Sequence, residues 1–326
     1  MGLRLFALGE TRAFGEAVGA SLAIPLARHE ERAFEDGEHK ARPLESVRGR
    51  DVYVVQSLHA DAALSVNDKL VRLLFFCGAL KDAGALRLTA VVPYLCYARK
   101  DRRSKPRDPL SSRYVASLIE AVGTDCVVTL DVHNLAAYEN AFRIQAVHLE
   151  ARKLFVEHFA RRAEDAPVTV VSPDVGGVKR ADAFADALAQ RLARPVERAF
   201  MEKRRSEGVV SGDKLVGEVG GRSVIIVDDL IASGGTIGRA VDACASRGAR
   251  SIDALATHGL FTGNASALLR NPRLRELVVS DSVPAFRLGG AGDAMERLSI
   301  VSCAPLVAEA IRRLSQGESI VELLQD

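Results

Sequence analysis

Two adjacent carboxylates and a turn of small residues form the stretch of this chain best suited to chemistry. Asp228 and Asp229 are followed by a small-residue turn that leads into a helical pattern: Ala232, Ser233, Gly234, Gly235 and Thr236. Small side chains let backbone N–H groups approach an anion closely, and the start of a helix attracts phosphate. Paired acids suit ribose hydroxyls or a magnesium ion. The stretch therefore predicts a sugar-phosphate site, although any single glycine in it is equally typical of an ordinary capped helix.

The surrounding pattern predicts that this stretch lies at the edge of a parallel sheet. Residues 224–227 form a short apolar run rich in β-branched side chains, which is typical of a parallel strand covered on both faces. Asp228 and Asp229 follow at the carboxyl end of this strand, where open α/β sheets bind their ligands. The chain has no Gly-Lys dipeptide and hence no Walker A loop, so any nucleotide is bound by other residues.

Composition restricts the class of protein and its compartment. The 326 residues allow one large or two ordinary domains, and 48% hydrophobic residues are enough for real cores. With 44 basic and 42 acidic side chains the net charge is +2, which indicates neither a nucleic-acid nor a membrane partner. The five cysteines form no Cys-x-x-Cys pair, as in reduced cytosolic proteins. Without a signal segment or a long apolar run, a cytoplasmic protein is expected.

The chain also contains an internal repeat. Residues 49–57 read GRDVYVVQS and residues 221–229 read GRSVIIVDD, and each copy is followed by a helical pattern, a Gly-Ala pair and a second apolar strand. Both copies predict a βαβ unit with parallel strands. The first copy is eight residues longer between its glycines, and we expect the extra residues in its loop. It has Gln56 and Ser57 where the second has the two acids, so only the second is expected to bind sugar phosphate.

The repeat predicts an α/β fold with two tandem homologous domains, each a mainly parallel sheet flanked by helices. We place the boundary near Glu150, which gives domains at residues 1–150 and 151–326. A C-terminal helix at about 305–314 could belong to either half, packing back on the first.

Charged groups also follow other predicted strands. Residues 93–107 carry six basic side chains and one acid, and a positively charged loop at a strand's end suits a polyphosphate. A solvated loop or a nucleic-acid patch would have the same composition.

Asp131 and His133 end the next strand, and Asp174 ends a strand of the second half. This sparse set fits magnesium better than zinc, although a lone strand-end His is more often a hydrogen-bonded structural residue.

Two further clusters combine charge with a turn. The first is a compact loop in which an aromatic ring could stack on a base and carboxylates could accept hydrogen bonds from it: Phe34, Asp36, Gly37 and Glu38. The second, residues 203–205, is basic and precedes a glycine-spotted segment at 208–221. That segment predicts a mobile loop that closes over phosphates, and an exposed basic turn is the alternative.

These motifs, in this order, resemble the ribose-phosphate pyrophosphokinase family over nearly the whole chain. The matching motifs are FEDGE at 34–38, SVRG at 46–49, YARKDR at 97–102, DVH at 131–133, SPDVGGVKRA at 172–181, KRR at 203–205, the acidic stretch at 228–236 and LVAEAI at 306–311. Ordinary type I phosphoribosyltransferases share only the stretch at 228–236. The resemblance implies two phosphoribosyltransferase-like domains, with the nucleotide on the first and ribose 5-phosphate on the second. It also implies diphosphoryl transfer from magnesium ATP to ribose 5-phosphate, giving phosphoribosyl pyrophosphate and AMP.

The resemblance further implies roles for the candidate residues. ATP would be bound by Phe34, Asp36, Gly37, Glu38, Arg99 and Lys100, and Mg²⁺ would be held by His133 and Asp174. The catalytic residues would be Lys203 and Arg205, and ribose 5-phosphate would be bound by Arg205, Asp228, Asp229 and residues 232–236. The loop at 34–38 would act across a subunit interface, which implies a homo-oligomer, a hexamer built from dimers. The partners would be these small molecules, with no nucleic acid and no membrane.

The chain departs from the family pattern at several positions. Many members have an acid in place of Ala232, a proline in place of Ser206 and a glycine in place of Cys96. Two other functions stay open at this point: a non-catalytic regulatory homologue, and a phosphoribosyltransferase that consumes phosphoribosyl pyrophosphate. The first is opposed by the retained residues His133, Asp174, Lys203 and Arg205. The second would leave the first domain and the basic segment at 203–205 unexplained.

Overall fold

Strands and helices alternate along the chain, as the repeat predicts. The computed structural model describes residues 2–162, 165–206 and 209–324, except for the side chains of residues 10, 203–206, 209–213 and 324. Contacts divide the chain into two units, one comprising the N-terminal part to Glu150 with the segment from Cys303, the other Ala151–Ser302. Within the described ranges, no helix has the length and apolarity that a bilayer crossing requires.

The first unit contains a sheet of five parallel strands. The strands of this unit are β1 (Leu3–Ala7), β2 (His29–Ala33), β3 (His39–Pro43), β4 (Asp51–Val55), β5 (Arg87–Val92), β6 (Cys126–Leu130) and β7 (Gln145–Leu149). Its first helices are α1 (Arg12–Ser21), α2 (Val66–Asp82), α3 (Ser111–Ala121) and α4 (Leu135–Ala141). The sheet order is β1-β4-β5-β6-β7, and β2 and β3 form a separate antiparallel hairpin. Strands β4 and β6 are buried along their whole length, which explains their continuous apolar runs.

The second unit contains a larger sheet built on the same plan. Its strands are β8 (Val168–Ser172), β9 (Val196–Ser206), β10 (Val209–Val216), β11 (Ser223–Ile231), β12 (Ser251–Gly259), β13 (Glu276–Ser280) and β14 (Leu298–Val301). Its helices are α5 (Arg152–Ala160), α6 (Val178–Leu192), α7 (Gly235–Ser246) and α8 (Ser266–Arg270). The sheet order is β10-β9-β8-β11-β12-β13-β14. Five of these strands, β8-β11-β12-β13-β14, repeat the arrangement of the first sheet. Strands β9 and β10 extend the second sheet beyond β8.

The repeat is visible in the backbone hydrogen bonds as well as in the strand order. Gly49 donates to the carbonyl of Gly84, and Gly221 donates to the carbonyl of Gly248, both at 2.8 Å. Gly49 and Gly221 share a φ of +67°, a left-handed conformation that favours glycine. The expected place of the eight extra residues is only partly right. Helix α2 has 17 residues against 12 in α7, so five of them lengthen the helix rather than the loop.

The C-terminal helices are grouped with the first unit. Helix α9 (Ala304–Gln316) packs against α1, and α10 (Val321–Leu324) follows it. The Arg87 guanidinium donates to the Leu314 carbonyl at 2.7 Å and to Oδ1 of the buried Asp51 at 2.8 Å. This arginine ties the end of α9 to strands β4 and β5.

The basic segment at 203–205 differs from the sequence expectation. A mobile loop is expected there, but β9 continues to Ser206 and pairs with β10 in an antiparallel hairpin. Lys203 lies opposite Asp213, and Arg205 opposite Val210, with a register shift between Val210 and Asp213. An antiparallel ladder joins backbone groups, so charged residues do not prevent it where β9 extends past its pairing with β8 and pairs with the edge strand β10. The side chains of Lys203 and Arg205 lie outside the described part of the chain.

Candidate active site

Asp228 and Asp229 lie inside strand β11, beyond the end of its neighbour β8. Pairing with β8 covers residues 223–226 only, whereas pairing with β12 continues to Ile231. The strand therefore runs further than its apolar segment indicates, because β12 supplies hydrogen-bonding partners past it. The two acids stand at the carboxyl edge of the sheet on the side where β8 has ended.

The small-residue turn leads from β11 directly into α7. Gly234 has a φ of +79°, and α7 begins at the next residue. A Cβ on Gly234 would lie 3.3 Å from the Cβ of Leu268, so both conformation and packing favour glycine there. Ser233 and Gly235 are exposed, and Ala232 is half-buried. Because the first N–H groups of a helix have no intrahelical acceptor, this turn presents donors to an anion.

The segment after β12 holds this turn through backbone hydrogen bonds. The Thr262 N–H donates to the Ala232 carbonyl at 2.8 Å, and the Leu260 N–H donates to the Ile231 carbonyl at 2.9 Å. Between them, Phe261 is buried and has a φ of +49°, which is unusual for a residue with a side chain. These bonds hold the backbone of the turn without using the N–H groups at the start of α7.

The acid pair is largely buried and contacts a cation that the sequence did not single out. Nη1 of Arg180, on α6, lies 3.3 Å from Oδ1 of Asp229 and 3.7 Å from Oδ1 of Asp228. Asp228 Oδ1 also accepts the Asp229 N–H at 2.9 Å. Burial raises the pKa of Asp228 above its usual range, and the negative charge of Asp229 raises it further. The sequence signal for Arg180 was its place in the motif at 172–181, just after a strand that neighbours β11.

Asp174 lies at the same edge of the second sheet, just after β8. Its Oδ1 accepts the Gly177 N–H at 3.0 Å, which caps the 3-10 turn Val175–Gly177. The Ser172 hydroxyl donates to the Asp174 carbonyl at 2.6 Å, and a Cβ on Gly177 would lie 2.8 Å from that hydroxyl. The glycine therefore leaves room for the bonds that fix this half-buried carboxylate.

His133 lies in the first unit, in an exposed turn after β6. The turn starts at Asp131, which has a φ of +39°. The Val132 N–H donates to Nε2 of His148, on β7, at 3.1 Å. On the other side, Nδ2 of Asn134 donates to Oδ2 of Asp101 at 2.6 Å. Side chains from two other segments thus hold the turn that carries His133.

Asp101 belongs to the basic segment, so the structure brings that segment to the His133 turn. Arg99 and Lys100 are exposed. The hydroxyl of Ser112, at the start of α3, donates to the Lys100 carbonyl at 3.1 Å, and Tyr97 donates through its hydroxyl to Asn67 of α2 at 2.6 Å. The segment is held at its backbone while its cationic side chains reach solvent.

The predicted loop at 34–38 joins β2 to β3. Its ends are closed by a hydrogen bond of 2.8 Å from the Phe34 N–H to the Glu38 carbonyl, and Gly37 has a φ of +91°. Oδ1 of Asp36 accepts the Glu38 N–H at 3.0 Å. The Phe34 ring is 39% exposed, and the Arg32 guanidinium lies 5.1 Å from its centre. One aromatic face is thus covered by a cation in a loop that is otherwise open to solvent.

Known proteins similar to this chain match it over nearly its whole length. Family models match it twice, as the N-terminal domain of ribose phosphate pyrophosphokinase over residues 3–123 and as a phosphoribosyl synthetase-associated domain over residues 209–325. The ribose-phosphate pyrophosphokinase of Granulibacter bethesdensis is 38% identical over 322 residues, which are 98% of this chain and 99% of the relative. The chain belongs to the ribose-phosphate pyrophosphokinase family.

Other relatives agree with this result. The ribose-phosphate pyrophosphokinase of Maricaulis maris is 42% identical over 93% of both chains. The crystal structure of phosphoribosylpyrophosphate synthetase from Mycobacterium smegmatis matches with a TM-score of 0.88 and 33% identity, covering 97% of this chain and 100% of that one. The predicted family, its two-domain α/β fold and its enzyme class are confirmed.

The first unit of this pyrophosphokinase-family chain differs from the second at the position of the small-residue turn. Gln56 and Ser57, which replace the acid pair, are both buried. Beyond them, the fully buried Lys69 of α2 contacts the carboxylate of Asp61, and its Nζ lies 3.4 Å from Nε2 of the buried His59. A side-chain ion pair therefore occupies the interior of the first copy where the second copy has an open small-residue turn.

Proposed function

We propose that this protein transfers the diphosphoryl group of magnesium ATP to the C1 hydroxyl of ribose 5-phosphate. The observation that carries the proposal is the acid pair of β11 beside the small-residue turn that opens α7. The C1 hydroxyl oxygen bonds to the β-phosphorus of ATP and releases its proton. The bond from that phosphorus to the oxygen bridging the α-phosphorus breaks, and AMP leaves with this oxygen. Phosphoribosyl pyrophosphate and AMP are the products.

Ribose 5-phosphate binds at the carboxyl edge of the second sheet. Asp228 and Asp229 accept hydrogen bonds from the ribose hydroxyls, and the N–H groups of residues 232–236 donate to the 5-phosphate. The exposure of Ser233 and Gly235 leaves the turn accessible to this ligand. Ala232 carries no carboxylate, so the sugar is held by the acids of β11 and by backbone donors.

ATP binds through residues of the first unit. Phe34 supplies a ring face for the base, and three residues after it supply polar contacts: Asp36, Gly37 and Glu38. Arg99 and Lys100, both exposed, meet the phosphates. The loop at 34–38 completes a site on a neighbouring copy, so the active form is a homo-oligomer, a hexamer built from dimers.

His133 and Asp174 would each supply a ligand to Mg²⁺, and its other positions would be filled by oxygens of the substrates and by waters. Within the described residues, no group of three or more His, Cys, Asp or Glu side chains gathers around one point. Magnesium retains several waters and takes few protein ligands, so such a sparse set fits it. Capping of the 3-10 turn uses Oδ1 of Asp174, and this orients the carboxylate. When bound, the ion neutralises charge on the triphosphate.

Lys203 and Arg205 stabilise the negative charge that shifts during transfer, with Arg205 also contacting ribose 5-phosphate. Their backbone belongs to the β9–β10 hairpin at the edge of the second sheet. A backbone that is already part of a strand needs little reorganisation when the charge moves, which favours this role. The substrates are cytoplasmic small molecules, and neither nucleic acid nor membrane takes part.

The decisive experiment follows AMP by chromatography after the purified protein is mixed with ATP, Mg²⁺ and ribose 5-phosphate. AMP formation that requires ribose 5-phosphate, with equal formation of phosphoribosyl pyrophosphate, supports the proposal. Binding of both substrates without AMP would instead identify a regulatory homologue. Consumption of added phosphoribosyl pyrophosphate with a free base, and no AMP from ATP, would identify a phosphoribosyltransferase.

A further inference from the structure

We propose that Arg180 is a positioning residue for ribose 5-phosphate: its guanidinium orients the Asp228–Asp229 pair so that both carboxylates can accept the ribose hydroxyls. This inference rests on the proposed function. Arg180 is a residue of α6, and the acids it orients are on β11, so the proposed arrangement joins two elements of the same unit.

The geometry of the acid pair favours such a cation. Successive residues on a strand normally point to opposite faces of the sheet. Here one atom, Arg180 Nη1, lies within 3.7 Å of a carboxylate oxygen of both neighbours. Two largely buried carboxylates held near one point repel each other and lose hydration, and a guanidinium between them opposes both effects. The same contacts occupy Oδ1 of each acid and fix the direction of the other oxygen.

The surroundings of Arg180 are consistent with a site rather than a surface ion pair. Its side chain is 29% exposed, and Asp229 is 5% exposed. Gly177, at the start of α6, would place a Cβ 3.9 Å from Arg180 Nη1, so the path of the arginine passes the turn capped by Asp174. The Arg180 guanidinium thus contacts the acid pair and passes close to the turn that Asp174 caps.

Arg198 provides a matched control in the same unit. It also pairs with two aspartates of one element, since its Nε lies 3.4 Å from Oδ1 of Asp182 and its guanidinium contacts Asp186. Its side chain is 46% exposed, and neither aspartate belongs to the acid pair of β11. Arg198→Met therefore removes the same charge and the same kind of ion pair away from the proposed sugar.

The test measures ribose 5-phosphate binding by calorimetry, and KM and kcat for both substrates, in the full-length protein. Arg180→Met should raise Kd and KM for ribose 5-phosphate on the order of tenfold, because the acids lose their orientation. KM for ATP should change less than about twofold, which a general loss of structure would not produce. Arg180→Lys should restore part of the affinity, since it keeps the charge but not the fork of donors. Arg198→Met should bind like the parent protein.

A combined variant separates positioning from direct contact with the sugar. If Arg180 acts through the acid pair, adding Arg180→Met to the Asp228→Asn, Asp229→Asn variant should weaken binding no further than those two substitutions alone, because Arg180 contacts both acids. Additive losses would overturn the inference. Unchanged ribose 5-phosphate binding in Arg180→Met would also overturn it. So would a soluble, folded Arg180→Lys variant that binds ribose 5-phosphate no better than Arg180→Met. A parent protein that binds no ribose 5-phosphate would overturn the proposed function itself.

Discussion

At the scale of single residues, the acid pair carries both the proposed chemistry and a cost in stability. Burial and Asp229 raise the pKa of Asp228 in the folded state above its value of about 3.9 in an unfolded chain. The ionised form of Asp228 is therefore less favourable in the folded protein than in the unfolded one. The stability linked to this group is fully present below about pH 4 and is lost as the pH rises through the folded-state pKa.

Replacing Asp228 by Asn should therefore stabilise the fold while impairing binding. The free energy of unfolding of Asp228→Asn should match the parent below about pH 4 and exceed it by about 1–3 kcal/mol at pH 8, since each unit of pKa shift is worth about 1.4 kcal/mol. Urea unfolding across this pH range measures the difference, and calorimetry should show weaker ribose 5-phosphate binding. The exposed Asp293→Asn is the control and should show neither effect. A parent protein more stable than Asp228→Asn at pH 8 would contradict the argument.

Lys203 and Arg205 offer a second test at this scale. The Lys203→Ala, Arg205→Ala variant should lose turnover on the order of a hundredfold or more, with a smaller change in KM, if the cations act on the transferring group. Lys214, exposed on the partner strand β10, is the matched control, and Lys214→Ala should keep normal turnover. Steady-state AMP formation measures both. Near-normal turnover in the double variant would contradict a catalytic role for these cations and favour the alternative, a basic segment without a part in catalysis.

At the scale of elements, the ion pair between α2 and the segment before it fills the interior at the position where the second copy has its small-residue turn. Ser65 and Asp68 form a capping box that starts α2, and this brings Lys69 onto the interior side. The Lys69 side chain is 1% exposed and that of its partner Asp61 is 11% exposed. Removing one partner of such a pair leaves the other charge buried without compensation.

Lys69→Met should consequently destabilise the protein by about 3–5 kcal/mol, measured by urea unfolding. Replacing both partners, as Lys69→Met with Asp61→Leu, should recover most of that loss, because no buried charge remains. The control is on the same helix: Lys81 pairs with Asp125 at 2.9 Å with side chains 28% and 43% exposed. Lys81→Met should cost less than about 1 kcal/mol. Equal effects at the two lysines would refute the distinction.

At the scale of the whole molecule, the ATP site that we propose would include a second copy of the chain. Phe34→Ala should weaken ATP binding without changing ribose 5-phosphate binding, because the aromatic ring belongs to the hairpin of the first unit. Mixing this variant with Lys203→Ala, Arg205→Ala under conditions that allow subunit exchange should restore part of the activity, since some mixed sites regain both intact elements. Full activity of a fraction shown by light scattering to be monomeric would rule out this arrangement.

Local pattern was sufficient to predict much of this protein. Three features could be predicted from neighbouring residues: the repeat, the order of the family motifs, and the buried strands around 52–55 and 224–227. Buried strands are recognisable from apolar side chains on both faces, and turns of the repeat from glycine where φ is positive. Strand ends were less predictable. Strand β11 continues past its apolar run because β12 supplies partners, and residues 203–206 join a strand because β10 lies beside them.

Contacts between distant residues required the folded chain. Three polar contacts join residues 10 to 49 positions apart: Asp229 with Arg180, Val132 with His148, and Lys69 with His59. The place of α9 on the first unit depends in the same way on Arg87 reaching Leu314. The charge of a residue and its tendency to form a turn follow from that residue and its neighbours in sequence. The residue with which a charged side chain pairs depends on which elements pack together. The tertiary structure alone therefore shows which cation accompanies the acid pair, and that the first copy contains a buried ion pair where the second has a small-residue turn.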